Sequence, residues 1–158
     1  MNIFILAGTP EESATMQCDK HVVKMVLESA QILCSPFAAT DKAPYKRTHY
    51  SHPCSVWARK SEANYSWLVS HALALCEEYT RRYGKRHKSQ DVIEWCALRI
   101  DELPFSEEGL TPFAQAMPDQ FKGSDPVVAY RAYYAQEKAY MATWDKLPEG
   151  RPDWMPTA

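Results

Sequence analysis

Cys18-Asp19-Lys20-His21-Val22-Val23-Lys24-Met25-Val26-Leu27-Glu28-Ser29-Ala30-Gln31-Ile32-Leu33 is the stretch whose reading decides the fold. Read as a helix, it is apolar nearly all round, through Val22, Val23, Met25, Val26, Leu27, Ala30, Ile32 and Leu33. One narrow polar stripe interrupts it: His21, Lys24, Glu28 and Gln31 fall within an arc of about 80°, with Lys20 beside them. Charged groups are rarely buried without a partner, because desolvation costs several kcal/mol. The stripe therefore either faces water or lines a polar cleft. Two features favour the cleft. The helix is too apolar to be peripheral, and Glu28 stands in mid-helix between a cation and an imidazole, as acid–base chemistry requires.

Working outward, the length of 158 residues suggests a single domain over 1–158 with one core. Apolar residues make up 46% and charged residues 24%, a globular balance that argues against a disordered chain. No window has the apolar length to span a membrane. Met1 to Gly8 is too short for a signal peptide and lacks a basic start, so a cytoplasmic protein is expected. The five cysteines, at 18, 34, 54, 76 and 96, are odd in number, widely spaced and without a CxxC pair, which fits reduced thiols. Net charge is −2, but residues 41–88 carry ten basic and four acidic groups while residues 89–158 carry six and twelve. The basic middle could attract phosphate, or the two regions could neutralise each other across the fold.

Along the chain, Asn2–Leu6 reads as a strand or an extended segment packed on helices, ended by Gly8-Thr9-Pro10. Thr9, Pro10, Glu11 and Glu12 fit the start of a short helix toward Met16. The central helix stops near Ser35-Pro36. A loop over 37–53 then interleaves Lys46 and Arg47 with Tyr45, His49, Tyr50 and His52, a mixture that suits phosphate and base contacts as well as it suits a plain polar surface. Cys54–Lys60 reads as one or two helical turns with Trp57 inward. Ser61 caps the next helix, which runs to Tyr83 and closes at Gly84, with Arg81 and Arg82 complementing its dipole. Ser89 is expected to cap a helix to about Ile100. Thr111-Pro112 should open a helical turn through Met117, and Asp125-Pro126 a long helix to about Asp145 with an aromatic stripe. The expected class is all-α: one compact domain of four to five helices with a short extended N-terminal segment.

The common motifs GxxxxGK[ST], GxGxxG, GxSxG and HExxH are absent, so the usual nucleotide, hydrolase and zincin chemistries have no signature here. A zinc site can be sketched from Cys18, His21, His49, His52 and Cys54, but a Cys-x-x-His along a helix with the remainder in a loop is a poor tetrahedral set. No metal and no cofactor are expected. Lys24 and Glu28 form an i,i+4 pair, and a lysine beside a carboxylate can also serve as an imine-forming amine.

The arrangement Asp19-x-His21 with Glu28 seven residues further on resembles the first helix of the pyrimidine-dimer DNA glycosylases, the endonuclease V type of phage repair enzymes. His52 is similar to a histidine at the start of that family's next helix. Leu75–Tyr83 resembles that helix's end, and Met117-Pro118-Asp119-Gln120-Phe121-Lys122-Gly123 with Pro126 resembles the family's C-terminal third. His52-Pro53 with Trp57 is closer still to uncharacterised bacterial relatives. The resemblance implies an all-α glycosylase with AP-lyase activity, in which an N-terminal amine attacks the sugar C1′ and a glutamate stabilises and deprotonates the resulting imine. It carries the glutamate to Glu28 and the helix-one histidine to His21. An α-amine suits this role because much more of it is unprotonated at neutral pH than of a lysine.

Departures from the family are visible as well. Asn2 stands where the family has the threonine exposed by loss of the initiator methionine, and its bulk should leave Met1 in place. Leu27 and Gln31 occupy positions of the family's DNA-gripping arginines. The reading therefore expects Glu28, His21, Lys24 and Met1 as catalytic candidates. Gln31, Lys46, Arg47, His49, His52 and Arg59 are candidates for substrate or phosphate binding. The partner is DNA or a nucleotide. The alternatives are an enzyme of a small nucleotide or modified pyrimidine, and a non-enzymatic protein that meets an acidic partner through the basic loop.

Overall fold

The computed structural model describes residues 1–157. Six α-helices form the frame: α1 Pro10–Thr15, α2 Asp19–Cys34, α3 Pro53–Lys60, α4 Glu62–Tyr83, α5 Gln90–Ala97 and α6 Pro126–Tyr133. A π-helical turn, Tyr134–Lys138, continues α6, and short 3-10 turns punctuate the connections. There is no strand among the described residues, only an isolated bridge between Ser61 and Ser106. The all-α expectation holds, with one helix more than four to five. Among the described residues no helix is long and apolar enough to cross a membrane.

The two long helices, α2 and α4, pack on each other, with α1, α3 and α5 against α4. Val22, Val26, Ala30 and Leu33 of α2 and Tyr65, Leu68, Ala72, Leu75 and Cys76 of α4 are all fully buried in the shared core. All five cysteines are free and buried, behaving as small apolar groups.

Asn2–Leu6 is extended and buried, yet it forms no strand. Its polar backbone atoms are satisfied by side chains instead of by a neighbouring strand. Ser13 Oγ of α1 donates to Phe4 O at 2.7 Å and accepts from Leu6 N at 2.9 Å, while Arg131 Nε of α6 donates to Leu6 O at 2.8 Å. The start of the chain is thereby threaded between α1, α2 and α6, which fixes where its amine must lie.

Several local expectations change. α2 is not buried all round: Val23 and Leu27 are 37% and 40% exposed, on a face shared with Lys20 and Lys24. Residues 111–117 are extended, not helical, because Asn64 Oδ1 accepts from Thr111 N and Ala116 O accepts from Asn2 Nδ2. Ser89 does not cap α5; its hydroxyl pairs with Tyr45 OH at 2.6 Å and its N–H donates to His87 Nδ1. The last helix does not reach Asp145. The chain leaves its helical path after Lys138 so that Thr143 O can accept from Asp19 N at 2.8 Å, at the start of α2. Arg82 is no surface partner of the α4 dipole but is buried between α4 and the start of α2.

Candidate active site

The stripe on α2 divides. His21 and Glu28 are buried, Lys24 has a side chain 68% exposed, and Gln31 is half-buried. Glu28 is kept as a buried carboxylate by what reaches it from the N-terminal segment. Its Oε1 lies 3.3 Å from the α-amine of Met1 and accepts the Asn2 N–H at 3.0 Å. Lys24 Nζ lies 3.7 Å from Oε2. Buried charge is tolerable when it is paired and hydrogen-bonded in this way.

Asn2 holds the amine in place. Its Oδ1 accepts from Tyr130 OH at 2.8 Å and from Ile3 N at 2.8 Å, and its Nδ2 donates to Ala116 O at 2.9 Å. The Met1 side chain is 2% exposed and its sulfur lies 3.9 Å from Ser55 Oγ of α3. The amine is therefore anchored from both sides, by the Met1 thioether and by the Asn2 amide.

A small cavity of about 120 Å³ opens beside this group, lined by Met1, Asn2, Phe4, His21, Lys24, Met25, Glu28, Tyr133 and Lys138. Phe4 stacks on the His21 ring, 4.6 Å between centroids and 11° between planes. Tyr134 OH accepts from Cys18 N at 2.9 Å and pairs with His21 Nδ1, 2.8 Å away. Burial first, then the nearby charges of Lys138 and Lys24, push the His21 pKa down to about 3. A neutral His21 that accepts at Nδ1 carries its proton on Nε2. It is thus a neutral imidazole in the cavity wall.

Of the expected residues, Met1, His21, Lys24 and Glu28 converge on this cavity. His52 lies close: its Nδ1 accepts from Cys54 N at 3.1 Å as the cap of α3. Its pKa is lowered by burial, then by the Met1 amine and His49, and raised by Glu28. The others line no part of the cavity. Arg47 donates from Nε to Ser35 O at 2.8 Å and lies 4.4 Å from the Tyr50 ring, while Arg59 lies 3.7 Å from that ring and donates to Tyr50 O. The two guanidiniums thus shape the loop around Tyr50. Lys46 and His49 are exposed on the same loop. Cys18 and His21 are both engaged by Tyr134, and no group of three or more His, Cys, Asp or Glu side chains among the described residues could hold a metal ion. Phe4, Tyr133 and Lys138 carry no distinguishing signal in the sequence. Phe4 sits in an apolar run and Tyr133 in an aromatic stripe, both of which read as core. Lys138 is brought in by the π turn alone.

The family model described as pyrimidine dimer DNA glycosylase matches residues 1–91. No curated protein and no solved structure matches the chain.

Proposed function

The chain belongs to the pyrimidine dimer DNA glycosylase family, and from that premise we propose that it removes a damaged pyrimidine from DNA by amine catalysis at Met1, with AP-lyase cleavage following. The observation that carries the reading is the Met1 α-amine at 3.3 Å from Glu28 Oε1 beside a cavity. Glu28 takes a proton from the ammonium and leaves a free amine. Its lone pair attacks C1′ of the sugar, the glycosidic bond breaks, and the base departs with the bonding pair and a proton. The attached nitrogen then loses a proton and expels O4′, which takes up a proton as the C1′–O4′ bond breaks and the ring opens, and the resulting iminium acidifies C2′–H. Glu28, having passed its proton on, removes that hydrogen, and the 3′ phosphate leaves by elimination. General acid–base help of this kind typically contributes about 10²–10⁴-fold. The neutral Nε2–H of His21 fits a donor to a sugar oxygen, since a donor with no charge does not compete with the developing iminium. Lys46 and His49, exposed on the loop, are available to the DNA backbone beyond the cavity.

Borohydride trapping tests this reading. Incubated with duplex DNA carrying an abasic site or a thymine dimer, the protein should give a reduced covalent adduct that maps by mass spectrometry to Met1. Glu28→Gln, folded as judged by circular dichroism, should trap at least a hundredfold more slowly. An adduct on a lysine, or none from the folded protein on any strand, overturns the reading. The net charge of −2 supports one second reading, a free nucleotide as substrate. A shallow salt dependence of binding would favour it, because duplex affinity rests largely on phosphate contacts.

A further inference from the structure

The cavity beside Glu28 holds more positive charge than it neutralises. Three cations border it, the Met1 amine, Lys24 and Lys138, against the single carboxylate of Glu28. One oxygen of that carboxylate is already taken by the amine and by Asn2 N. Lys24 is left with a 3.7 Å approach to the other oxygen. Lys138 forms no salt bridge among the described residues; its ammonium lies 5.2 Å from the Tyr133 ring. His21 adds no charge to offset either lysine. The lysines come from different elements, α2 and the π turn, and both lie near enough to His21 to act on it. Leu27 and Gln31 supply no cation on the neighbouring turns of α2.

We propose that Lys24 and Lys138 form a clamp across the cavity mouth that holds a phosphate group of the substrate, the one next to the sugar lying against Met1 and Glu28. The inference rests on the glycosylase reading of this site and adds what holds the substrate there. Two ammonium groups, each a compact point charge with three rotatable donors, suit a tetrahedral phosphate; a planar carboxylate is better matched by a guanidinium fork. The Tyr133 ring under Lys138 holds the ammonium at the rim without cancelling its charge. The clamp is a positioning device, and it takes the place of cations that α2 lacks at Leu27 and Gln31.

The test is binding to a duplex that carries a tetrahydrofuran abasic analogue, which has no reactive C1′ and so reports affinity without chemistry. Fluorescence anisotropy across a salt series should find Lys138→Gln and Lys24→Gln each about 5- to 30-fold weaker at low salt, with the log–log salt slope reduced by about 0.9 for each lost phosphate contact. Lys138→Arg should restore most of the affinity, and melting temperatures should show the variants folded. A neutral methylphosphonate at the phosphate beside the analogue should reproduce the loss in the wild type and cost the Lys24→Gln/Lys138→Gln double variant nothing further. Thymidine 5′-monophosphate, added as competitor, assigns the source: displacement of duplex at micromolar concentration from wild type but not from Lys138→Gln makes the clamped group that of a free nucleotide, and its failure makes it a backbone phosphodiester. Wild-type affinity and slope in both glutamine variants overturn the clamp, as does the absence of any single neutral linkage that mimics them. Borohydride trapping judges the glycosylase reading separately, so either can fail while the other stands.

Discussion

α2 carries two buried carboxylates, Asp19 and Glu28, each meeting a cation, and the two clusters differ in how completely they are satisfied. At Asp19 the partner is Arg82, whose side chain is fully buried. Its Nε donates to Glu78 Oε2 at 3.0 Å, Nη1 to Gln17 O at 2.7 Å and Asp19 Oδ1 at 3.3 Å, and Nη2 to Thr15 O at 2.9 Å. Asp19 Oδ2 accepts Lys146 N at 3.0 Å, and Arg81 pairs with the other oxygen of Glu78. Every part of this cluster points at protein, and it ties α1, α2, α4 and the C-terminal segment to one guanidinium. At Glu28 one oxygen is similarly occupied, but the other faces a cavity and a lysine at 3.7 Å. The closed cluster can only hold the fold together. The open one has a carboxylate, an amine and a neutral imidazole left over for a ligand.

Substitutions at the two carboxylate clusters should therefore fail in opposite ways. Arg82→Leu leaves Asp19 and Glu78 buried without their shared cation, which should cost about 3–5 kcal/mol of stability in denaturant unfolding. Since Arg82 joins four parts of the chain, we expect the wild type to lose all of them in one cooperative transition. A loss below about 1 kcal/mol would mean that the cluster is not the fold's tie. Glu28→Gln should instead leave stability within about 1.5 kcal/mol, because the amide still accepts from Asn2 N, while trapping slows by about 10²–10³-fold. If Glu28→Gln unfolds the protein, the two clusters are alike and the contrast drawn between them is lost.

The contrast was half legible in the sequence. Glu28 and His21 stood out because a mid-helix acid and imidazole interrupt an otherwise apolar surface, a local pattern with a fixed period. Arg82 did not, because a cation in the last turn of a helix has an ordinary explanation in the dipole, and its burial depends on residues sixty-three positions away. Residues 111–117 misled for a related reason. Thr-Pro is a fair helix start, but the backbone there answers to Asn64 and Asn2, which no local window contains. Arg47 and Arg59 read from composition as phosphate ligands; the geometry shows both stacked on Tyr50 and bonded to loop carbonyls. Met1 needs the tertiary fold to reach Glu28, through the buried extended segment, and Lys138 needs it to reach the same cavity, through the π turn.

A histidine in the closed core sharpens the comparison through pH. His71 is 1% exposed, with Nδ1 donating to Pro10 O at 3.0 Å and Nε2 accepting from Gln17 at 3.1 Å, and burial pushes its pKa down to about 4 from 6.5. The folded form therefore binds fewer protons than the unfolded chain between those values. Stability is fully present above pH 6.5 and falls as pH drops toward 4, by about 3 kcal/mol for this residue. Unfolding free energies from pH 7.5 to 4.5 should trace that slope, and His71→Gln should flatten it. His21, pushed down to about 3, adds loss over the same window and further below it. A profile flat to pH 4.5 would place both imidazoles in contact with water.

The smallest expected effect lies at the seam between the two clusters. Tyr134 OH accepts from Cys18 N, immediately before Asp19, and faces His21 Nδ1 within the Glu28 site. Tyr134→Phe keeps the ring that packs edge-on against Phe4 and His21, but leaves the Cys18 N–H and the imidazole nitrogen without their shared partner. The unmade bonds should cost about 1–2 kcal/mol. The more telling readout is His21 itself. Without the hydroxyl proton at Nδ1, nothing fixes the tautomer, and the ¹⁵N shifts of its ring should move from a protonated Nε2 toward a mixture. If trapping slows several-fold in step with that shift, Tyr134 acts on the open site by orienting His21. Should stability fall while the ring shifts and the trapping rate stay put, Tyr134 belongs wholly to the closed side, and the boundary between the clusters runs through His21.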